Sequence, residues 1–476
     1  MRCLLAREPF RIMQSTLQFH EGTLILAGAD GADVERNFGR SHPWVHDYRA
    51  NLYRCDAIHY SRLRQSIDRL GGDCLDSVPN WRSLSWPHVK MPELRTEQSL
   101  AIEKWSVSQN GVVVMPTGTG KTEVALRIML NTSISTLIVA PVRDLMYQWH
   151  RRILQSLGFD AGIIGDSTYR VCPVSVTTYE SACIHMPKLG SEFGLLIFDE
   201  CHHLPSEVRR DAARMSIATK RLGLTATLER SDGRHNDLVQ WIGPTVYDLP
   251  LEQVRGSTLA EYEVVRIPIH LSDTEQHRYD SLSKDVRYYM QERRKTEPGF
   301  TWEQLCSESA REPAARYALT AYRQKQSIED RAVEKLRVLE DLFRLHFGTP
   351  MIIFAGSNAM AREVSKRFLI PCMLNHCGKK ERLEILEGLE SGAYPALVAN
   401  KVLDEGVDLP KVKVAVVIGG TSSGKQAKQR LGRILRKLGN VRATLYEIVC
   451  GDTTENQRSR RRRDNDAYQG TRHRRI

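Results

Sequence analysis

Short, almost unbroken apolar runs alternate along this chain with stretches whose apolar residues recur every three or four positions. Between Leu94 and about Pro250 the runs are Val112–Met115, Thr136–Ala140, Val174–Thr177, Leu195–Phe198 and Arg221–Leu224. A strand covered on both faces loses its polar alternation and becomes a continuous Val/Ile/Leu run. The rhythm therefore predicts a parallel sheet with helices on both faces. It returns from Met351 to Cys450, with strands at Met351–Phe354, Ala396–Val398, Val412–Ile418 and Thr444–Val449. Helices are expected near Asn358–Phe368, Lys379–Leu389 and Lys425–Lys437. The fold class is α/β, with two such parallel-sheet lobes.

Other patterns flank and separate the lobes. Leu17-Gln18-Phe19 and Thr23-Leu24-Ile25-Leu26 surround Glu21-Gly22, a hairpin signal. Leu63, Ile67 and Leu70 have helical spacing, and Gly71-Gly72 ends the helix. Pro79, Pro87 and Pro92 then mark a linker. Residues 12–88 thus read as a small N-terminal α+β domain, before a first lobe at 91–255. Residues 272–332 read as a polar helical insert between the lobes. Tyr279, Leu282, Val286 and Met290 share one helical face there, and Pro298-Gly299 marks a turn. The second lobe is expected at 333–452, and a disordered basic tail at 453–476.

The first lobe carries a phosphate-binding pattern. Pro116-Thr117-Gly118-Thr119-Gly120-Lys121-Thr122 follows the strand Val112–Met115 and precedes a helical pattern. Backbone N–H groups of such a loop and the start of its helix favour a bound phosphate. Lys121 would reach the β- and γ-phosphates of ATP, and the Thr122 hydroxyl would bind Mg²⁺. The position usually held by the first glycine is Met115. Downstream, the apolar run at 195–198 ends in Asp199-Glu200-Cys201-His202-His203. Carboxylates at the C-terminal end of a parallel strand stand at the mouth of the sheet. Asp199 is suited to the Mg²⁺ shell and Glu200 to orienting or deprotonating the attacking water. Cys201, His202 and His203 are adjacent on one loop, a poor arrangement for a tetrahedral zinc site.

Hydroxyl residues end another strand at Thr225-Ala226-Thr227, where they could link the acidic loop to its surroundings. Loops at Ala140–Arg143 and Thr177–Ser181 could donate hydroxyl and N–H groups to a nucleic-acid backbone. The second lobe carries Gly406-Val407-Asp408-Leu409-Pro410 and then Gln429-Arg430-Leu431-Gly432-Arg433-Ile434-Leu435-Arg436. Arg433 and Arg436 are three apart on a helix and project from one face. Planar guanidiniums suit the charge that develops on a transferring phosphoryl group.

The ordered set Arg95-x-x-Gln98, Thr117–Thr122, Asp199–His203, Thr225–Thr227, Gly406–Pro410 and Gln429–Arg436 resembles that of superfamily 2 helicases. Asp199–Pro205 and Gln429–Arg436 most resemble the XPB (xeroderma pigmentosum group B) family of DNA repair and transcription helicases, in its archaeal and bacterial forms. The resemblance implies two RecA-like lobes, ATP and Mg²⁺ as cofactors, and 3′→5′ movement on DNA. It implies adenine contact for Arg95 and Gln98. It adds Pro116 to Thr122, Gly406 and Asp408 to the ATP-binding set. It gives His202, Thr225, Thr227 and Gln429 coupling roles, and Lys121, Asp199, Glu200, Arg433 and Arg436 catalytic ones. It also implies a damage-recognition-like role for 12–88, a thumb-like role for 272–332 and, from related prokaryotic forms, a nuclease partner. One departure concerns the family's Arg-Glu-Asp element, which reads Arg230-Ser231-Asp232 here.

Composition fits this reading. The chain has 476 residues, 41% of them hydrophobic, with a net charge of +11 that favours a polyanionic partner. The tail from Thr453 contributes eight arginines against three acids, or +5. Ten scattered cysteines without C-x-x-C spacing read as reduced thiols of a cytoplasmic protein. No signal peptide or membrane span is expected, and a monomer acting on single-stranded or forked DNA is. Two other readings stay open: a double-strand DNA translocase or annealing motor without true unwinding, and an ATP-switched DNA-binding regulator.

Overall fold

The computed structural model describes residues 15–29, 31–39, 41–70, 74–228, 233–254, 257–374, 376–400, 412–419 and 442–463. They divide into two units, Met1–Pro250 and Leu251–Ile476.

The first unit opens with β1 (Ser15–His20), β2 (Thr23–Ala27), α1 (Gly31–Phe38), β3 (Val45–Asp47), β4 (Leu52–Asp56), α2 (Tyr60–Leu70) and β5 (Cys74–Asp76). The strands form one sheet in the order β3-β4-β2-β1-β5. Glu21 and Gly22 both have positive φ, 46° and 79°, as a two-residue hairpin turn requires. The core of this sheet, including Leu17, Leu24, Trp44, Tyr60 and Leu63, also contains Ile217 of the larger sheet's side. The small domain is therefore fused to its neighbour rather than tethered. The proline-marked linker is fixed as well. Leu84 N–H donates to the Ser133 carbonyl at 2.8 Å, Arg82 N–H to Ser135 Oγ at 2.7 Å and Trp86 Nε1 to Ser133 Oγ at 3.1 Å.

The larger sheet follows. Its elements are α3 (Thr96–Ser108), β6 (Asn110–Val114), α4 (Lys121–Thr132), β7 (Thr136–Ala140), α5 (Arg143–Leu157), β8 (Gly162–Gly165) and β9 (Thr168–Tyr169). Next come β10 (Val174–Thr178), α6 (Tyr179–Leu189), β11 (Leu195–Asp199), α7 (Asp211–Arg214), β12 (Lys220–Thr225), α8 (Leu238–Trp241) and β13 (Thr245–Asp248). The strand order is β13-β6-β12-β11-β7-β10-β8-β9, parallel except where β9 returns along β8. Every residue of β7 and β10 is buried, which explains their unbroken apolar or small-residue sequence. β12 lies between β6 and β11, a placement that the order of motifs along the chain does not reveal.

The second unit contains α9 (Leu251–Val254), β14 (Tyr262–Ile269), α10 (Asp273–Thr296), α11 (Trp302–Glu308), α12 (Pro313–Asp330), α13 (Val333–Leu345) and β15 (Met351–Phe354). It continues with α14 (Asn358–Phe368), β16 (Cys372–Met373), α15 (Lys379–Ser391), β17 (Ala396–Ala399), β18 (Val414–Val417), β19 (Ala443–Cys450) and α16 (Thr454–Arg463). The all-parallel order is β14-β19-β18-β15-β17-β16. Here the structure corrects two expectations. β14 pairs with β19 from Tyr262↔Ala443 to Ile269↔Cys450, so the helical insert interrupts the second sheet rather than joining two lobes. In addition, the expected disordered tail begins as the helix α16.

The tail folds because buried partners hold it. Lys335 is fully buried, and its Nζ donates to both carboxylate oxygens of Glu455 at 2.8 Å and to the Ile418 carbonyl at 3.0 Å. Glu329, also buried, accepts from Tyr279 Oη at 2.9 Å, Thr454 Oγ1 at 2.8 Å and the Glu455 N–H at 3.2 Å, and pairs with Arg458. These contacts tie α16 to the base of the α10–α12 hairpin and to α13. The far end of the hairpin has its own small core of Phe300, Leu305, Ala315 and Ala318. Among the described residues no helix is long and apolar enough to cross a membrane.

Replacing Lys335 by Met should strand the Glu455 carboxylate in the interior and cost about 3–5 kcal/mol of stability. A lowered denaturant midpoint, partly recovered when Glu455→Gln is added, is the expected result; an unchanged midpoint would mean that the pair is not a structural tie.

Candidate active site

The site is set by strand register. Thr225 of β12 stands level with Val114 of β6, and Leu224 stands level with Asp199 of β11. The loops after these three strands therefore open on one rim. Met115 N–H donates to the Thr225 carbonyl at 2.9 Å, which extends the β6–β12 ladder to the start of the phosphate loop.

That loop is preshaped. Gly118 and Gly120 have φ of 88° and 87°, a left-handed conformation that side-chain-bearing residues resist. The loop turns directly into α4, whose first residue is Lys121. Lys121 Nζ rests on the Met115 carbonyl at 3.1 Å, and the buried Thr119 turns its hydroxyl back to the Pro116 carbonyl at 2.7 Å. Pro116, Thr117, Gly118 and Thr122 remain partly exposed. Gln98 supports the loop from α3. Its Nε2 donates to the Thr119 carbonyl at 2.9 Å, while its Oε1 accepts the Arg95 N–H at 3.0 Å. The Arg95 side chain is exposed.

The acidic loop is held from several sides. Asp199 Oδ2 accepts the Trp149 indole N–H at 2.8 Å, and Oδ1 accepts the Glu200 N–H at 3.0 Å. Burial first, and then the charge of Glu200, push the Asp199 carboxyl up to about 6, against the opposing pull of Trp149 and Lys121. Glu200 has φ 47° and ψ 54°. A left-handed conformation costs a non-glycine residue about 1–2 kcal/mol, and such strain collects at functional sites. Thr225 Oγ1 lies 2.7 Å from the Thr227 carbonyl, 2.9 Å from His202 Nδ1 and 3.4 Å from Glu200 Oε2. One hydroxyl thus gathers the acidic loop and the turn after β12. His203 Nδ1 lies 3.2 Å from Arg209 instead, and Cys201 is buried below Gly223, so the three adjacent residues point to different partners.

The donor set fits a magnesium–nucleotide complex. It combines a glycine-shaped N–H cradle at a helix start, a lysine, a hydroxyl and a half-buried carboxylate whose raised proton affinity a cation would offset.

Comparison with known proteins agrees with this geometry. Residues 91–230 match the family described as type III restriction enzyme, res subunit, and residues 334–437 match the helicase conserved C-terminal domain. The DNA 3′-5′ translocase XPB2 of Sulfurisphaera tokodaii is 40% identical over 384 residues, which cover 80% of this chain and 87% of that protein. The chain belongs to the XPB family of superfamily 2 helicases. The DNA 3′-5′ helicase XPB of Mycobacterium tuberculosis is 28% identical over 80% of this chain and 65% of its own length. Among solved structures, S. cerevisiae Dbp5 bound to RNA and ADP BeF3 aligns with a TM-score of 0.55 and 14% identity, over 80% of this chain and 89% of that one. The Pyrococcus furiosus Hef helicase domain aligns with a TM-score of 0.51 and 16% identity, over 77% and 97%. These two likenesses concern the fold.

In this XPB-family chain the structure gathers Gln98, Pro116 to Thr122, Asp199, Glu200, His202, Thr225 and Thr227 on one rim of the first unit. Gly406, Asp408, Gln429, Arg433, Arg436 and the stretch Arg230-Ser231-Asp232 lie outside the described residues. Sequence reasoning missed Trp149, which touches Asp199 directly. It placed Tyr179 in a loop that could donate hydroxyls to nucleic acid, whereas that hydroxyl is buried and donates to the Asp199 carbonyl at 3.0 Å. Both are buried aromatics, and nothing local in the sequence shows that either one touches Asp199.

Gly120→Ala is expected to weaken nucleotide binding. A Cβ at that position would collide with Gln98 Nε2, on backbone with φ of +87°. Titration with a fluorescent ATP analogue should show at least about tenfold weaker binding, or ~1.4 kcal/mol; wild-type affinity in the folded variant would contradict the assigned role of the loop.

Proposed function

We propose that this chain is an ATP-driven motor that moves 3′→5′ on DNA. The observation that carries the proposal is the common rim of β6, β12 and β11, which brings the phosphate loop, Thr225 and the Asp199–Glu200 pair together in a chain 40% identical to a DNA translocase. The loop N–H groups and Lys121 bind and orient the phosphates. Thr122 and Asp199 would hold Mg²⁺, which when bound neutralises phosphate charge. Glu200 takes the proton of the attacking water as its oxygen bonds to the γ-phosphorus and the bond to ADP breaks. Thr225 and His202 sense that change through the shared hydroxyl. In this reading Arg433 and Arg436 offset the charge of the transition state, and Gln429, Gly406 and Asp408 contribute to nucleotide contact. The basic balance of the chain supports phosphate contacts as the main source of DNA affinity, so binding weakens as salt rises.

DNA repair or transcription-linked work, a nuclease partner and a monomeric state complete the proposal. The small sheet at 12–88 serves in this reading to favour distorted DNA. Its core is shared with the first lobe, so substitution of its exposed residues is the appropriate test; deletion would uncover Ile217.

Steady-state ATP hydrolysis should rise severalfold with single-stranded DNA and vanish in Lys121→Ala and Glu200→Gln. DNA-indifferent hydrolysis by the wild type would sink the motor reading, and retained DNA-dependent function in Glu200→Gln would favour the ATP-switched regulator. The altered Arg230-Ser231-Asp232 element and the name translocase on the Sulfurisphaera relative favour a second reading, translocation without strand separation. Displacement of a triplex-forming strand without displacement of a duplex strand would select it.

The pH dependence has a definite sign. Asp199 has a raised proton affinity in the fold, so protonation stabilises the metal-free protein, and that stability is lost as pH rises through about 6. A cation needs the ionised form. The Mg²⁺ concentration for half-maximal nucleotide binding should therefore increase as pH falls from about 7.5 to about 5.5, and a flat midpoint would show that Asp199 is not a ligand.

A further inference from the structure

Helix α5 touches both the rim loops and the acidic site. Near its start, Arg143 Nη1 donates to Asp166 Oδ1 at 2.7 Å and Tyr147 Oη to Asp166 Oδ2 at 2.9 Å. Asp166 and Ser167 form the β8–β9 turn, both with positive φ, 51° and 61°. β8 runs parallel to β10, so this turn stands at the same end of the sheet as the phosphate loop. The Arg143 side chain is 70% exposed there. Farther along the same helix, Trp149 is 3% exposed and makes its single polar contact with Asp199 Oδ2. Arg152 then pairs with Glu123, two residues beyond Lys121. One rigid helix thus contacts an exposed cationic rim, the acidic strand end and the helix of the phosphate loop.

We propose that Trp149 is the positioning residue for Asp199, and that α5 carries nucleic-acid engagement at the Arg143–Asp166 rim to that carboxylate. The inference rests on the motor reading above and adds the route by which DNA reaches the ATP site. A phosphodiester competes with Asp166 for the Arg143 guanidinium, because both offer two anionic oxygens to its planar fork. When that exchange shifts the start of α5, the helix moves as a unit; Trp149 lies six residues on, or about 9 Å along the axis. The indole N–H holds one carboxylate oxygen while the Glu200 N–H holds the other. Asp199 therefore cannot rotate unless Trp149 moves. A purely apolar packing role would be served as well by phenylalanine, which lacks the N–H.

The test uses the full chain with Trp149→Phe, Trp149→His and Arg152→Gln. Binding of a fluorescent ATP analogue is titrated in EDTA and then against Mg²⁺, with thermal unfolding and DNA stimulation of hydrolysis measured alongside. Trp149→Phe should bind the analogue in EDTA like the wild type, because the phosphate loop is intact. Its Mg²⁺ midpoint should rise about tenfold, as expected for the loss of one hydrogen bond to a charged group. DNA stimulation should fall with it, and Trp149→His, which keeps a ring N–H, should regain part of both. An unchanged Mg²⁺ midpoint in folded Trp149→Phe overturns the proposal. If that variant does not fold, Arg152→Gln decides, since its side chain is 40% exposed and its replacement leaves no cavity in the core. Weakened DNA stimulation with normal binding in EDTA supports the coupling through α5, and wild-type stimulation overturns it. A wild type unresponsive to DNA would instead remove the motor reading, while the Mg²⁺ midpoint would still report on Trp149.

Discussion

Everything at the candidate site depends on β12 lying between β6 and β11. Parallel pairing fixes the spacing of the three strand ends, and the side-chain chemistry follows from it. Thr225 reaches the acidic loop because its strand is adjacent to β11, and its carbonyl receives Met115 because its other neighbour is β6. A one-residue slip of β12 would turn the Thr225 hydroxyl toward the opposite face of the sheet. A strand buried on both faces resists such a slip, since every apolar residue of β12 would change sides. The polar network is therefore positioned by apolar packing.

Within that frame the site holds its charges under tension. Asp199 is partly withdrawn from water and set against Glu200, and Glu200 sits on left-handed backbone. Neither arrangement would persist without compensation. The Trp149 indole, the Glu200 N–H and the nearby Lys121 offset part of the desolvation of Asp199. The remainder stays as affinity for a cation. This division explains why an acid that is costly to the metal-free fold is useful to it. The same residues that strain the resting loop define where positive charge is most stabilising.

Much of this was legible in the chain. The strands at Thr136–Ala140 and Met351–Phe354 and the helix at Asn358–Phe368 follow from apolar runs and helical spacing alone. The phosphate loop and the acidic loop were legible because their chemistry needs particular residue types at fixed spacing along the chain. What was not legible depends on contacts between distant segments. β14 has an apolar sequence compatible with several neighbours, and only pairing with β19 assigns it to the second sheet. α16 reads as a polar, arginine-rich tail because its anchoring groups, Glu455 and Arg458, are charged. Their partners lie 120 and 129 residues away, at Lys335 and Glu329, beyond the reach of any local pattern. Trp149 was missed for a related reason: periodicity marks it as core, and periodicity does not show that its N–H points at Asp199.

The second unit shows why an ionic tie can serve where an apolar one would not. Apolar residues at the base of the α10–α12 hairpin could bury comparable area, and a well-packed apolar replacement for a buried ion pair is often as stable. An apolar contact, however, tolerates sliding. Lys335, with Glu455 on one side and the Ile418 carbonyl on another, does not, because each displaced bond leaves a buried charge unmet. Glu329 makes the same demand on Tyr279, Thr454 and Arg458, which come from α10 and α16. Neither carboxylate can be satisfied by one helix alone. The hairpin base, α13 and α16 must therefore dock together, so the insert is fixed to the second sheet at its base while its far end keeps an independent core. In an insert built this way, the charged base sets one orientation against the second sheet.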